Sequence, residues 1–331
     1  GGCLLQVSPT HAIVAVTYRC NARCVMCDIW KKKGTPEMAP EDYRRIPPTL
    51  KEINVSGGEP LLRQDIAEVA AVMRETCPGV RLILSTNGLL PDRLDALLSS
   101  DNRLAVRVSL DGMAELHDEI RGVDGAFEKA MKSLAVAGER GVSDLGVCAT
   151  MSRHNAGRIR EIQAFARSEG IQFTFTVAHS SEMFFGNKDS EKPGAEAACE
   201  DIDEIKGRLY ASHSIKDWFR AYFVEGLRDV LMGKPRPIEC RAGLDFFYLD
   251  PEGRVYPCHL WDREMGNILE ESYEDIIASN PKVMRAVERC GKKCWMTCTV
   301  APEMRRKVLL YAARVAWAKL LHHAGRGRRP R

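Results

Sequence analysis

The stretch TYRCNARCVMCDIWK, residues 17–31, is decisive for the fold because it places three cysteines within eight residues of one loop. Cys20, Cys24 and Cys27 are separated by three and then two residues, and the loop directly follows the apolar run HAIVAVT. Thiolates bind iron–sulfur clusters, zinc and other soft metals, and a closed zinc site generally takes four ligands. Three thiolates in one loop leave a position open, so the spacing favours a [4Fe–4S] cluster with one accessible iron over a structural zinc site.

Around this loop, strand patterns and helix patterns alternate. Apolar, β-branched runs occur at residues 11–17, 51–56, 80–86, 103–110, 144–151 and 171–177, and segments of helical periodicity separate them. Pro91 fits the first turn of one helix, and Gly141 and Gly170 fit helix ends. Strands that alternate with helices predict a parallel α/β sheet, and such folds place their active sites at the carboxyl ends of the strands.

Composition and charge are those of an ordinary globular chain of 331 residues, with 45% hydrophobic and 28% charged residues. The net charge of +3 conceals a basic C-terminus, because residues 305–331 hold nine Lys or Arg and no Asp or Glu, and the remainder carries −6. A mildly acidic body argues against nucleic-acid binding by the fold itself. With no signal-peptide pattern and no apolar run of roughly 18 residues, the sequence predicts a cytoplasmic protein.

The use of cysteine indicates metal chemistry at a second place in the chain. Eight of the twelve cysteines fall into two groups, and in a chain without a secretion signal clustered thiols indicate metal or redox sites. Cys240 and Cys258 flank an apolar run, a DPEG turn and a second short run, which together predict a β-hairpin that brings the two thiols close. Cys290, Cys294 and Cys298 follow at intervals of four residues.

The first motif, CNARCVMC, resembles the C-x3-C-x-Φ-C motif of the radical S-adenosylmethionine (SAM) superfamily. Met26 occupies the Φ position, which is usually aromatic, and offers an apolar side chain to the adenine. The resemblance implies that Cys20, Cys24 and Cys27 hold three irons of a [4Fe–4S] cluster. The amino and carboxylate groups of SAM then bind the fourth iron, so the cofactor supplies the ligand that the loop lacks.

Motifs after later strands carry the same resemblance. SGGEP at 56–60 is similar to the family's GGE motif, which receives the SAM amino group, and STNG at 85–88 and SLDG at 109–112 are similar to segments that contact SAM. The residues expected to bind SAM are therefore Gly57, Gly58, Glu59, Pro60, Asn87, Ser109 and Asp111, together with Met26. Arg121, in HDEIRG, either pairs with a carboxylate or forms a surface salt bridge. The implied fold is a partial (β/α)6 TIM-like barrel.

The late cysteines resemble the SPASM and twitch extensions of this superfamily. Cys240, Gly253 and Cys258 match their C-x9–15-G-x4-C opening, but five late cysteines replace the seven of a full SPASM region. The resemblance implies one auxiliary [4Fe–4S] cluster held by four of the five, while four thiolates also suit zinc. The expected domains are the barrel at 1–200, a helical link at 201–238, the auxiliary domain at 239–303 and a basic helix and tail at 304–331.

The implied chemistry is reductive cleavage of SAM to a 5′-deoxyadenosyl radical that takes hydrogen from a substrate. Because about ten residues precede the first strand, we expect a small molecule (a sugar, an aminoglycoside or a nucleoside) and net dehydrogenation or epimerisation. A peptide or a lipid-linked substrate is the alternative, and a non-catalytic iron–sulfur or zinc protein is the alternative outside enzymes. Cys148 and Cys199 are the residues that could return hydrogen in an epimerisation.

The expected partners are an electron donor such as flavodoxin or ferredoxin, the small-molecule substrate, and no nucleic acid. Residues 305–331 combine an apolar helical stretch with basic flanks. This pattern is typical of an interfacial helix on anionic lipid, which would make the protein membrane-associated. It equally fits a helix that packs on the auxiliary domain and ends in a basic tail.

Overall fold

The computed structural model describes residues 8–179, 181, 191–236, 238–290 and 294–326, the last four by their backbone alone. Six parallel strands form its centre, in the order in which they occur along the chain. They are β1 (His11–Thr17), β2 (Glu52–Gly57), β3 (Arg81–Thr86), β4 (Ala105–Ser109), β5 (Leu145–Met151) and β6 (Gln172–Val177). The parallel α/β sheet predicted from the alternating pattern is confirmed.

Helices pack against the outer face of this sheet. They are α1 (Ile66–Thr76), α2 (Pro91–Ser100), α3 (Glu115–Arg121), α4 (Ala126–Glu139) and α5 (Ile159–Ser168). Helix α5 shows why they form, because its buried residues Ile159, Ile162 and Ala166 recur at the spacing of one helical face. Pro91 begins α2 as predicted, and Gly141 and Gly170 adopt left-handed backbone angles just after α4 and α5.

Charged side chains close the end of the barrel at which the strands begin. Asp144 accepts hydrogen bonds from Arg81 Nη2 at 2.7 Å and Arg107 Nη2 at 2.6 Å, and Arg81 Nη1 also donates to Glu52 at 2.7 Å. Glu52 and Arg81 begin their strands, Asp144 precedes β5, and Arg107 is the third residue of β4. The opposite end, where the strands finish, remains free for the cysteine loop.

The predicted late hairpin is present, but it belongs to the barrel sheet. Strands β7 (Phe246–Leu249) and β8 (Arg254–Tyr256) are antiparallel, and β9 (Gly266–Asn267) follows β8. Strand β7 pairs in parallel with β1, His11 opposite Phe246, so one sheet runs from β6 through β1 to β9. The part of the chain expected to be an auxiliary domain is thus continuous with the barrel through β1.

Six further helices follow the barrel strands in the described part of the chain. They are α6 (Ala195–Ala211), α7 (Ile215–Leu231), α8 (Tyr273–Ser279), α9 (Pro281–Glu288), α10 (Thr297–Arg306) and α11 (Val308–Arg326). Helix α6 begins at Ala195, and residues 182–190 before it lie outside the described residues. The expected boundary at residue 200 therefore falls inside a helix. In the described part of the chain, no helix is long and apolar enough to cross a membrane.

Helix α10 lies along the open side of the barrel, between β6 and β1. At its start, Thr176 Oγ1 of β6 donates to Met296 Sδ at 3.1 Å. At its end, Arg305 reaches His11 of β1, with Nη1 2.7 Å from Nε2 of that imidazole. The segment before α10 contains the fully buried Trp295, whose indole N–H donates to the Phe223 carbonyl at 2.7 Å and anchors this segment. The auxiliary region therefore contributes one wall of the barrel.

Candidate active site and auxiliary cluster site

The loop of the first three cysteines is held by backbone hydrogen bonds on both sides. Arg23 and Val25 donate to the carbonyls at the end of α3, at 2.9 and 3.0 Å. On the other side, Gly58 N donates to the Thr17 carbonyl at 2.7 Å and Glu59 N donates to the Arg19 carbonyl at 2.8 Å. The three thiols line one cavity at the carboxyl end of the sheet. The loop is thus positioned by β2 and α3.

Gly57 and Gly58 are required because the loop passes directly over them. A Cβ atom on Gly57 would lie 2.2 Å from the Thr17 carbonyl oxygen, and a Cβ atom on Gly58 would lie 2.1 Å from that of Arg19. Both distances are far below van der Waals contact. Gly57 also has φ 126, which side chains rarely adopt. The GG of SGGEP therefore lets the end of β2 touch the cysteine loop.

A buried ion pair lies behind the first thiol set. Arg121 Nη2 is 2.7 Å from Asp111 Oδ2, and Arg121 Nη1 lies 3.6 Å from Cys24 Sγ. Asp111 is fully buried, and its Oδ1 accepts from Thr150 N at 2.7 Å. Although burial lowers the pKa of Arg121, Asp111 and the Cys24 thiol hold it above its usual range. The structure therefore places a fixed cation beside Cys24, with Asp111 behind it.

Glu59 also supports the site from behind. Its buried carboxylate accepts from Thr86 Oγ1 at 2.8 Å, from Asn87 N at 2.7 Å and from Leu61 N at 3.1 Å. Burial raises the pKa of Glu59 to about 7. Asn87, oriented by this contact, donates from Nδ2 to Asn21 Oδ1 at 2.7 Å. The carboxylate of the GGE motif thus ties β2 to the end of β3.

The cavity at the thiols has a volume of about 210 Å³. Each strand from β2 to β6 contributes at least one hydroxyl side chain to its wall: Ser56, Ser85, Thr86, Ser109, Thr150 and Thr176. Of the residues expected to bind SAM, the lining includes Met26, Gly57, Gly58, Asn87 and Ser109. Glu59, Pro60 and Asp111 are not part of the lining, and they lie in the layer behind it.

Among the lining residues that were not predicted from the sequence are His179 and Met296. His179 follows β6, and its Nε2 has no hydrogen-bond partner among the described residues. Burial lowers the pKa of His179 to about 4, so this imidazole is neutral near pH 7. Met296 comes from the late cysteine segment. Because His179 follows a predicted strand, the sequence could have predicted it in the active site, whereas nothing in the sequence predicted that Met296 lines this cavity.

The first thiol set fits an iron–sulfur cluster with an open position. Burial raises the pKa of Cys20 to about 11 and that of Cys27 to about 12, and the neighbouring thiols raise both. These thiols bind a metal by releasing protons, and the Arg121 cation lies beside them, 3.6 Å from Cys24 Sγ. In the described ranges, no three His, Cys, Asp or Glu side chains converge as ligands of a single ion. The three thiols instead line one cavity, and polar side chains form part of the wall beside them.

The late cysteines come from three separate segments and meet behind α10. Cys240 precedes β7, Cys258 follows β8, and Cys298 lies in the first turn of α10. Burial raises the pKa of Cys258 to about 12 and that of Cys294 to about 11, and in both cases Cys240 and Cys290 contribute. Cys258 and Cys294 are thus each within electrostatic reach of Cys240 and Cys290, and Cys298 is within reach of Cys240, Cys258 and Cys294. This arrangement fits a cluster held between the hairpin ends and α10.

The surroundings of the late thiols are mostly apolar. Cys240, Cys258 and Cys298 pack with Trp261 against a core cluster that includes Phe246. One cation approaches this site, because Arg236 Nη1 donates to Cys294 Sγ at 3.5 Å. Burial and the neighbouring thiols raise the pKa of Cys298 well above its usual range. The site therefore depends more on burial than on charge.

The two cysteines considered as hydrogen donors lie in different places. Cys148 is on β5 opposite Ser109, and it faces the barrel interior beside Thr174. It lies two residues before Thr150, about 7 Å deeper along the strand than the cavity wall. Cys199 lies on α6 within electrostatic reach of Arg228 on α7. Neither thiol lines the cavity at Cys20, Cys24 and Cys27.

Two family models match this chain, and the matched ranges include the two thiol sets. The family model described as the radical SAM superfamily matches residues 14–165, and the SPASM model, an iron–sulfur cluster-binding domain, matches residues 240–299. The chain is a radical SAM enzyme with a SPASM domain. Its cofactors are accordingly SAM, the [4Fe–4S] cluster that binds it, and an auxiliary iron–sulfur cluster.

Two curated relatives illustrate the range of the family. The Fe-coproporphyrin III synthase of Methanosarcina barkeri is 37% identical over 172 residues, which cover 49% of this chain and 42% of that protein. The chain thus spans less than half of that relative. The mycofactocin maturase MftC of Mycobacterium ulcerans is 29% identical over 283 residues, which cover 82% of this chain and 74% of the maturase.

A solved structure shares the fold of this radical SAM enzyme. The structure of anSMEcpe with bound AdoMet and the Cp18Cys peptide superposes with a TM-score of 0.63 at 17% identity. The match covers 86% of this chain and 85% of that protein. It confirms the predicted α/β barrel with a C-terminal auxiliary region.

Proposed function

We propose that this radical SAM enzyme modifies a peptide, which binds in an extended conformation along the edge of β6 that no described strand covers. The observation that carries the proposal is that β6 is an edge strand with a cavity beside it over its whole length. Thr176 and Val177 at its carboxyl end line the cavity of the first thiol set. Residues 172–175 line a second cavity of about 1020 Å³.

The second cavity is suited to a chain of several residues. Its other walls are α7, which contributes Phe219 and Phe223, and α10, which contributes Val300 and Ala301. Unpaired backbone groups on a strand edge can hydrogen-bond an added strand, while pockets beside the edge accept alternate side chains. Thr176 and Met296 line the first cavity, and their neighbours in sequence, Phe175 and Thr297, line the second. An extended segment in the second cavity would therefore point toward the thiols.

Two relationships support a peptide over the small molecule expected from the sequence. A relative that covers 82% of this chain is a maturase. The protein of the same fold was solved with a peptide bound. The synthase relative, which is matched over 49% of this chain, makes an iron porphyrin the second candidate substrate. A sugar, an aminoglycoside or a nucleoside has less support.

We assign the roles in the site as follows. Cys20, Cys24 and Cys27 hold the cluster, and the enzyme's own main chain at Gly57 and Gly58 faces SAM. Bound there, the cluster and SAM supply a 5′-deoxyadenosyl radical that takes one hydrogen atom from the substrate. Asn87, Ser109 and the other hydroxyl groups of the wall orient SAM by hydrogen bonds. Glu59 holds Asn87 in position by a hydrogen bond, and Asp111 holds Arg121 in position by an ion pair.

The remaining groups shape the cavity and its electron supply. Met26 and Val177 give the cavity apolar walls that exclude water from the reacting carbon. We expect a flavodoxin or a ferredoxin as electron donor, in the reducing cytoplasm, where clustered free thiols persist. The late thiols, which flank Met296 in sequence, would hold the SPASM cluster. That cluster would supply an acceptor for the one electron that the substrate gives up after its hydrogen atom has been removed, with a proton released to solvent.

The test is a comparison of substrates with the anaerobically reconstituted full chain. Synthetic peptides encoded beside the gene, Fe-coproporphyrin III and a panel of aminoglycosides would each be incubated with SAM and dithionite. We expect a peptide to raise 5′-deoxyadenosine release above the basal rate. A peptide deuterated at the reacting residue should transfer deuterium into the deoxyadenosine, and its own mass should change.

A variant of the β6 edge links this result to the proposed binding mode. Thr174→Pro adds a ring beside the strand edge and should weaken peptide stimulation while basal SAM cleavage continues. Stimulation by the porphyrin or by an aminoglycoside alone, with no peptide mass change, would reject the peptide proposal.

A further inference from the structure

Helix α11 carries an apolar face that no described residue covers. Leu309 is 84% exposed, Trp317 is 64% exposed and Leu320 is 65% exposed. With 3.6 residues per turn these three side chains, together with Ala313 and Ala316, fall on one face of the helix. Leu310 and Leu321 border it and are also exposed. The 19 residues of α11 make this face about 28 Å long.

The opposite face of α11 is firmly packed, so the apolar face has a fixed direction. Tyr311 and Val315 are buried, and Tyr311 contacts Tyr222 of α7 edge to face. Lys319 Nζ lies 3.4 Å from the centre of the Trp218 ring and donates to the Ser212 carbonyl at 3.1 Å. The helix is therefore attached to the rest of the protein, and its apolar face is exposed although the opposite face is packed. The exposed face is presented by contacts with α7.

Charge distinguishes the occupants that could cover this face. Residues 305–331 hold nine Lys or Arg and no acidic residue. Arg305, Arg306 and Lys307 are paired with Glu52 and Glu303. Arg314 at the border of the face has no acidic partner in the described part of the chain, and the sequence after it adds further arginines. A second copy would oppose like charges, whereas anionic lipid complements them.

We propose that α11 docks this enzyme on an anionic membrane surface. The helix lies in the interface with Leu309, Trp317 and Leu320 among the acyl chains, and the basic residues meet the lipid headgroups. A tryptophan at the edge of an apolar face suits this depth, because its ring is apolar and its N–H is polar. This docking is independent of the substrate proposed above.

Vesicle flotation of the reconstituted full chain tests the proposal. The vesicles contain either phosphatidylcholine alone or phosphatidylcholine with about one third phosphatidylglycerol. We expect flotation with the anionic vesicles, and about tenfold less with neutral vesicles or at high salt. Leu309→Ser combined with Leu320→Ser should reduce flotation about tenfold. Met232→Ser, which removes an exposed apolar side chain at the end of α7, should leave it unchanged.

Two further readouts separate membrane docking from other outcomes. The fluorescence of the wild-type chain should shift to the blue on anionic vesicles, and Trp317→Phe should remove most of this shift. All variants should keep basal deoxyadenosine release, which shows that they are folded. Failure to float overturns the proposal, and so does flotation that the double serine variant leaves unchanged. A dimer that this variant dissociates, without flotation, would identify a second copy as the occupant.

Discussion

The two thiol sites differ in how the chain builds them. The first consists of three thiols on one loop, tied by backbone hydrogen bonds to β2 and α3 and backed by the Arg121–Asp111 pair. The second gathers thiols from three segments far apart in sequence into a mainly apolar pocket. The first geometry is set locally and electrostatically, and the second is set by tertiary packing. Different kinds of substitution should therefore disable each.

The largest expected effect comes from removing the thiols of either site. Replacing Cys20, Cys24 and Cys27 by Ala should abolish 5′-deoxyadenosine release and remove about four of about eight irons per chain. Replacing Cys258 and Cys294 by Ala should also remove about four irons but leave basal release in place. Iron assay and mass spectrometry of the nucleoside provide both readouts. Loss of release in the second variant, with circular dichroism unchanged, would show that the two sites are not independent.

The buried ion pair behind the first site should be the largest single contribution to its stability. Arg121→Met leaves the Asp111 carboxylate buried without its cation, so the free energy of unfolding should fall by about 3–5 kcal/mol. Adding Asp111→Asn should restore part of this loss, because the uncompensated charge disappears. Urea unfolding followed by circular dichroism measures both. A loss below about 1 kcal/mol for the single variant would indicate that water reaches the pair.

The first site should also respond to pH through Glu59. The folded pKa of this carboxyl, about 7, lies above its usual value of 4.5. Its contribution to stability is therefore fully present below about pH 4.5 and is lost as the pH rises through about 7. Relative to Glu59→Gln, the wild-type chain should lose about 3 kcal/mol of unfolding free energy across this window. A difference that is constant with pH, in unfolding measured at several pH values, would contradict the raised pKa.

The smallest expected change in the free energy of unfolding comes from glycine substitutions. It compares Gly58, which touches the cysteine loop, with a glycine that has free space around it. Gly58→Ala forces a Cβ against the Arg19 carbonyl, so it should cost about 1–3 kcal/mol and slow SAM cleavage by displacing the loop. Gly138→Ala in α4 is the matched control, because nothing lies within 4 Å of the added Cβ. It should stabilise the chain by about 0.5–1 kcal/mol. Equal unfolding midpoints for the two variants would mean that the cysteine loop moves away from β2 at little cost in free energy.

The sequence was most informative where the chain is local. The C-x3-C-x2-C spacing and the βα alternation predicted the thiol loop and six parallel strands, because each motif lies within one loop or one element. It was less informative about the direction of side chains. The role of Glu59 toward the amino group of SAM stays a prediction, and the sequence did not predict that its carboxylate also accepts hydrogen bonds from Thr86, Asn87 and Leu61. Which atoms meet a carboxylate depends on how neighbouring strands are arranged.

Long-range pairings were beyond the sequence for the same reason. The hairpin at β7 and β8 was predicted from its turn, but a run of four apolar residues does not specify that β1 will be its partner. Met296 reaches the catalytic cavity only because α10 lies along the open side of the barrel. Cys199 was expected near the strand ends, yet it lies on α6 facing α7. The pairing of β1 with β7 and the position of Met296 are set by contacts between residues more than 70 positions apart in sequence.

The pairing of β1 with β7 has a consequence for synthesis of the protein. Strand β1 ends at Thr17, and the strand that covers its second edge ends at Leu249. At a translation rate of 5–20 residues per second, that edge stays open for roughly 10–50 s after β1 has emerged. An open apolar strand edge invites pairing with other chains. Expressing the barrel alone would make this transient exposure permanent, so the auxiliary region also protects the barrel from aggregation.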